Sequence, residues 1–142
     1  MSRLNKILLG IALLLALALA ISWNKLGSSL SDWKSSDFAS ISEIQQSGLI
    51  EKGWFPNWMP QSATEIKETH NIDTNEGYIF FHFAKQDLEN LSTICPEIVK
   101  PLPELPKNLS ADWLPQKPDR YFTWQGSLMA IDSLQLTALM WR

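Results

Sequence analysis

Residues able to do chemistry are few in this chain. The two histidines are His70 and His82. Suppose the residues on either side of Asp73-Thr74-Asn75-Glu76-Gly77 pair as a hairpin, with residue 72 opposite residue 78. His82 then faces Glu68, and His70 is the next residue on the same face, about 7 Å along the strand. A His-Glu-His patch is ligand chemistry that suits zinc. With Asp73 close by, it also marks where the pocket of an envelope enzyme or a small-ligand binder would lie. A register change of one residue carries His82 to the opposite face. Two half-exposed strand histidines are therefore the competing reading.

Other candidates fall short on composition or spacing. Asp73, Asn75 and Glu76 offer oxygens, but calcium takes about six to eight oxygen ligands in a fixed pattern. Asp, Asn and Gly at these positions suit a hairpin turn instead. Cys95 is the single cysteine, so no internal disulfide exists. It has no cationic neighbour and no helix N-terminus to lower its pKa, and a buried thiol is expected. The chain has no Gly-x-Ser-x-Gly, no Gly-x-Gly-x-x-Gly and no phosphate loop. The expectation is no catalytic residue, no metal and no cofactor: not an enzyme.

The densest stretch is Gly53-Trp54-Phe55-Pro56-Asn57-Trp58-Met59-Pro60. Its two prolines forbid a regular helix or a central strand and hold the preceding residues extended. A stiff bridge carrying two indoles results. One reading has Trp54 and Trp58 lidding the core. The other has Trp54, Phe55, Trp58 and Met59 forming a surface for a partner, because exposed apolar patches mark interfaces.

Around these residues an α+β domain is expected over residues 41–142. Ile41, Ile44, Leu49 and Ile50 are spaced for a short helix from about Ser40 to Glu51. Ala63 to Ile72 reads as a half-exposed strand, and Tyr78 to Ala84, apolar on both faces, as a central strand. Gln86 to Ile94 carries Leu88, Leu91 and Ile94 at helical spacing, and Pro96 stops it. Pro96 to Pro118 holds six of the eight prolines and should run extended, pinned by its Leu and Trp residues, with one turn at Ser110 to Trp113. Tyr121 to Trp124, Leu128 to Ile131 and Leu134 to Met140 form a meander with turns at Gln125-Gly126 and Asp132-Ser133. The sum is an antiparallel sheet of about five strands, a hairpin plus the meander, with two short helices.

The N-terminus gives the address. Arg3 and Lys6 precede an uncharged run from Ile7 to Trp23, the short end of a membrane span. Residues 1–26 read as a transmembrane anchor, in contact with the membrane through residues 4–23. The basic end stays in the cytoplasm, and the domain faces the periplasm or the cell exterior. Cleavage of a signal peptide near Ala20, after the small-x-small triplet Ala18-Leu19-Ala20, is the alternative. Residues 27–40 are Ser-rich and read as a flexible stalk. Beyond Lys25 the chain has 9 Lys and Arg against 15 Asp and Glu. That net of −6 argues against nucleic acid as a partner.

The run Trp54-x-Pro56-x-x-Met59-Pro60-x-Ser62-Ala63-Thr64-x-Ile66, followed by Asn71-Ile72-Asp73-Thr74-Asn75-Glu76, resembles a family of small, uncharacterised exported bacterial proteins, many of them lipoproteins. The resemblance spans about 25 residues. It implies a compact extracytoplasmic α+β domain and no particular activity. This chain departs from it in having no cysteine for lipid attachment after the apolar run. The combined expectation is a membrane-anchored domain of the bacterial envelope with a non-enzymatic binding or structural role and a possible envelope protein as partner. The alternative is an envelope enzyme or small-ligand or metal binder using His70, His82 and Glu68.

Overall fold

The structure, a computed structural model, describes residues 32–142 together with Ala16. The expected anchor over 1–26, its cleavage point near Ala20 and the first part of the expected stalk lie outside these residues, Ala16 apart. Among the described residues no helix is long and apolar enough to cross a membrane. Trp33–Arg142 forms one compact unit.

That unit is α+β, with a six-stranded antiparallel sheet rather than about five strands. The strands are β1 (Trp33–Ser40), β2 (Thr64–Asn71), β3 (Gly77–His82), β4 (Arg120–Trp124), β5 (Ser127–Asp132) and β6 (Thr137–Trp141). Their order is β1-β2-β3-β6-β5-β4. The two helices are α1 (Ile41–Ser47) and α2 (Asp87–Ile94).

The additional strand is β1, and it corrects the stalk reading for residues 33–40. This segment pairs along its whole length with β2, with Phe38 opposite Ile66 and Trp33 opposite Asn71. Serine does not prevent it, because a strand is held by packing against its cross-strand and same-face neighbours more than by intrinsic backbone preference. Phe38 sends its ring edge-on to Phe55, 5.8 Å away, and Trp33 stacks at 6.0 Å on Tyr78 across the other face. Ser35 Oγ donates to Thr69 Oγ1 at 2.8 Å, so a serine that looks like linker composition is a cross-strand partner.

Helix α1 is shorter than the expected Ser40 to Glu51. Its apolar pair, Ile41 and Ile44, is buried, and Gly48 at φ 72° closes it in the left-handed region that glycine favours. Leu49 and Ile50 belong to the turn that follows and pack on the core from there.

The hairpin of β2 and β3 exists, but in a different register. Glu68 lies opposite Ile79 and His70 opposite Gly77, while Thr64 lies opposite His82 across a bulge that includes Glu65 at φ 48°. The expected pairing of 72 with 78 fails because Asn71 builds a longer turn. Its Oδ1 accepts the N–H groups of Asp73 at 2.9 Å and Thr74 at 3.0 Å. Asn75, at φ 59°, then turns the chain back so that Asn71 N–H reaches the Glu76 carbonyl.

Each face of the sheet has its own apolar cluster. Ile66, Ile79, Phe81, Phe122, Met129 and Ile131 meet α1, α2 and the Trp-Pro bridge on one face, with Leu91 of α2 buried against them. Tyr78, Phe80 and Leu139 lie on the other, covered by Leu109, Trp113 and Leu114 of the proline-rich crossing. That crossing carries a 3-10 turn at Ala111–Trp113. It also closes the β4 edge: Ile98 N–H reaches the Tyr121 carbonyl at 2.7 Å, and Thr123 N–H reaches the Pro96 carbonyl at 3.0 Å. Not all of the crossing is pinned, since Val99 and Leu102 are exposed.

Candidate cleft beneath the Trp-Pro bridge

Three residues set side by side at one end of the sheet make the site. His70 on β2 is opposite Gly77 on β3. On its other side Gly77 exchanges backbone hydrogen bonds with Arg142, at 3.3 and 3.1 Å. Glycine leaves a gap between the two flanking side chains, and one indole touches both. The ring of Trp54 stacks on His70 with centroids 3.7 Å apart, and the Arg142 guanidinium carbon lies 4.8 Å from the indole centroid. Arg142 also donates from Nη1 to the Gly53 carbonyl at 3.3 Å. The Trp-Pro bridge is thus tied to the sheet by stacking, cation–π attraction and a hydrogen bond.

Behind this tie lies Glu68, with only 1% of its surface exposed. Its Oε1 is 2.5 Å from Nδ1 of His70, and its Oε2 has no hydrogen-bond partner. Burial pushes its carboxyl above the ordinary range, against the hydrogen bond from His70 and the nearby charges of His70 and Arg142. A buried acceptor without a donor is costly, and such groups in native structures call for an explanation. Glu68 and Arg142, with Trp54, Phe55, Trp124 and Met140, line a cavity of about 370 Å³ between the bridge and the sheet. This is the size and mixed character of a small-ligand site, for which the usual range is about 300–1,000 Å³.

The residues expected to meet a partner separate by burial. Phe55 and Met59 are core residues, at 3% and 6% exposure. Trp54 and Trp58 are half-buried. Trp58 lies edge-on to Trp124 at 5.6 Å, and its Nε1 is buried with no partner. A second depression, of about 410 Å³, lies beside it between Pro60 and α2 and is lined in part by Asp87, Asn90 and Ile94.

Of the expected His-Glu-His patch, the structure brings Glu68 and His70 together and separates His82. The pairing of β2 with β3 and the bulge put His82 on the opposite face, edge-on to Phe80 and 3.6 Å from the exposed Glu65. Asp73 is in the exposed turn beyond Asn71. Zinc binding through this trio is thereby corrected, since its third ligand lies on the other side of the sheet. Among the described residues no three His, Cys, Asp or Glu side chains are grouped to hold a metal. Cys95 is fully buried, and burial pushes its thiol up to about 11.

The stretch that carries the bridge also gives a likeness to known proteins. Residues 32–82 match the family model of the YbbD head domain. The match runs from β1 through the bridge to the end of β3, little more than a third of the chain. It is consistent with the small exported bacterial family that the Trp-Pro run resembles. No curated protein and no solved structure matches the chain. The matched segment supplies Trp54, Glu68, His70 and Gly77 of the cleft. Trp124, Met140 and Arg142 come from outside it.

Sequence reasoning missed Arg142 and Trp124 as members of the site. The signal for Arg142 was its place one residue beyond an apolar strand that pairs with β3, but that pairing is non-local. Trp124 sits just before the Gln125-Gly126 turn, which directs the β4–β5 corner toward the bridge.

Proposed function

We propose that this chain is a non-enzymatic binding domain of the bacterial envelope, and that the cleft under Trp54 is where it binds. The observation that carries this reading is the unpaired, buried Oε2 of Glu68 beside a cavity large enough for a small ligand. A ligand that donates a hydrogen bond there removes a cost the free protein carries. The absence of any catalytic motif in the sequence supports a binding rather than a catalytic role. So does the Cys95 thiol, which is held protonated at neutral pH. The likeness to the YbbD head domain and the basic-then-apolar N-terminus support an envelope address. In this reading residues 4–23 anchor the chain in the cytoplasmic membrane with the domain outside. The half-exposed indoles of Trp54 and Trp58 then form the rim that an envelope partner touches.

The test is ligand-dependent stability of the full-length protein in mild detergent. A ligand bound at about a hundred times its Kd stabilises the folded state by about 2.7 kcal/mol. The low-molecular-weight fraction of a bacterial envelope extract should therefore raise the unfolding temperature by several degrees. Gly77→Leu is the control. A first carbon at Gly77 makes ordinary contacts, 3.7 Å to Arg142 Nε and 3.8 Å to His70 Cβ, and the larger side chain crowds the cavity. Equal shifts for both proteins, or none, would remove the cleft as a binding site.

A further inference from the structure

The charges around the cleft point to the ligand's chemistry. Among the described residues lining the cavity, Glu68 and Arg142 are the two that carry charge, one acidic and one basic. They are not used up by the protein. Glu68 spends one oxygen on His70 and leaves the other without a donor. Arg142 spends one N–H on the Gly53 carbonyl and holds its guanidinium over the Trp54 ring. Between these poles the lining is mixed: the aromatic and apolar Trp54, Phe55, Trp124 and Met140 alternate with the polar Asn57, Gln125 and Ser127.

We propose that the cleft binds a small zwitterion with an apolar body, of the size of one or two amino-acid residues. Its ammonium donates to Glu68 Oε2, its carboxylate accepts from the free N–H groups of Arg142, and its side chain lies among the aromatic walls. This inference rests on the reading of the cleft as a binding site.

Ligands with one charge fit worse for a stated reason. A bare amine satisfies Glu68 but brings a second cation beside Arg142. A bare acid satisfies Arg142, leaves Glu68 unpaired and sets two carboxylates near one another. A neutral sugar can donate to Glu68 but gives the Arg142 guanidinium no counter-charge. Only a ligand with both groups completes both poles, and charge-assisted hydrogen bonds are the stronger kind. The cavity volume limits the body, since about 370 Å³ is near the small end of ligand pockets.

Calorimetric titration of the full-length protein in mild detergent tests this with five probes. Phenylalanine and alanyl-phenylalanine are the zwitterions. Phenethylamine and 3-phenylpropanoate each lack one charge, and glucose is neutral. At least one zwitterion should bind saturably and each single-charge analogue more weakly: 3-phenylpropanoate at least about tenfold, because it leaves the buried Glu68 unpaired, and phenethylamine by a smaller factor, because Arg142 is exposed. Glu68→Gln and Arg142→Gln should each weaken zwitterion binding, Glu68→Gln by the larger factor, while unfolding cooperatively. If phenethylamine or 3-phenylpropanoate binds as well as the zwitterions, the two-pole assignment is wrong and the cleft remains a binding site of other chemistry. If no probe binds while the envelope extract still stabilises wild type over Gly77→Leu, the zwitterion is wrong and the binding reading stands. If neither probes nor extract act, both fall.

Discussion

The indole of Trp54 lies on the imidazole of His70, with centroids 3.7 Å apart and planes inclined by 21°. This contact joins a loop that no regular secondary structure holds to a strand inside the sheet. It also covers the Glu68–His70 pair, so the bridge shields a buried carboxylate as well as closing the core. Stability and site are therefore coupled through one ring.

Trp54→Ala should accordingly cost more than a half-buried residue usually does. Losing a large aromatic from packed surroundings costs about 3–5 kcal/mol when burial is complete, and about 2–3 kcal/mol is expected here. Trp54→Phe should recover part of the loss, because a smaller ring still stacks on His70. Urea unfolding of the three proteins measures this. A loss under about 0.5 kcal/mol for Trp54→Ala, within the range of ordinary surface changes, would show that the stack does not hold the bridge down.

Glu68 makes stability depend on pH with a definite sign. Burial pushes its carboxyl above the ordinary value of 4.5, and the hydrogen bond and charge of His70, with the charge of Arg142, only partly offset this. The folded state thus holds the proton more tightly than the unfolded chain does. The associated stability is present below 4.5 and is lost as pH rises through the folded value. Glu68→Gln cannot ionise and keeps an oxygen for His70. Its unfolding temperature relative to wild type should rise between pH 4 and pH 7. A relative fall over that interval would mean that the charges of His70 and Arg142 outweigh burial.

Much of this fold could be read from residue pattern, and the misses share a cause. The hairpin, the second helix and the meander announce themselves through local signals: Gln125-Gly126, Asp132-Ser133, and the spacing of Leu88 and Leu91. The edge strand β1 has no such signal, because its Ser35 and Ser36 are common to linkers and its pairing partner is over thirty residues away. Register was lost for a local reason, since the Asn71 side chain substitutes for backbone in the turn and enlarges it. That error decided the fate of His82. The site was legible only in part. Glu68 and His70 share a face by strand alternation alone, whereas Arg142 reaches them through the non-local pairing of β6 with β3.

Because β1 is part of the sheet, the domain should not tolerate its removal. Deleting residues 33–40 strips Phe38 from Phe55 and exposes the backbone edge of β2, which invites edge-to-edge association. A truncated chain beginning at Ile41 should aggregate or unfold well below the temperature of one that begins at Asp32. Sedimentation and thermal unfolding of the two chains compare them. A soluble monomer of unchanged stability would restore the linker reading of this segment.

Asp132 should prove the most sensitive turn residue. It is 1% exposed, and its two oxygens accept three backbone N–H groups: Leu134 at 3.0 Å and Gln135 at 2.9 Å on Oδ1, and Lys117 at 2.8 Å on Oδ2. One carboxylate thus closes the β5–β6 turn and pins the end of the proline-rich crossing. Asparagine can keep the turn but must aim its amide N–H at the Lys117 N–H, donor against donor. The expected cost of Asp132→Asn is about 1–3 kcal/mol, the range for a buried group left unsatisfied. Burial alone would raise this carboxyl, yet the N–H groups of Gln135, Lys117 and Leu134 and the charge of Lys117 together hold it below 3.8. Its contribution is therefore present above 3.8 and lost as pH falls through the lower folded value. The gap in unfolding free energy between wild type and Asp132→Asn should be full at pH 7 and narrow in strong acid. A gap that stays constant down to pH 2 would mean that the ionised carboxylate is not what closes the turn.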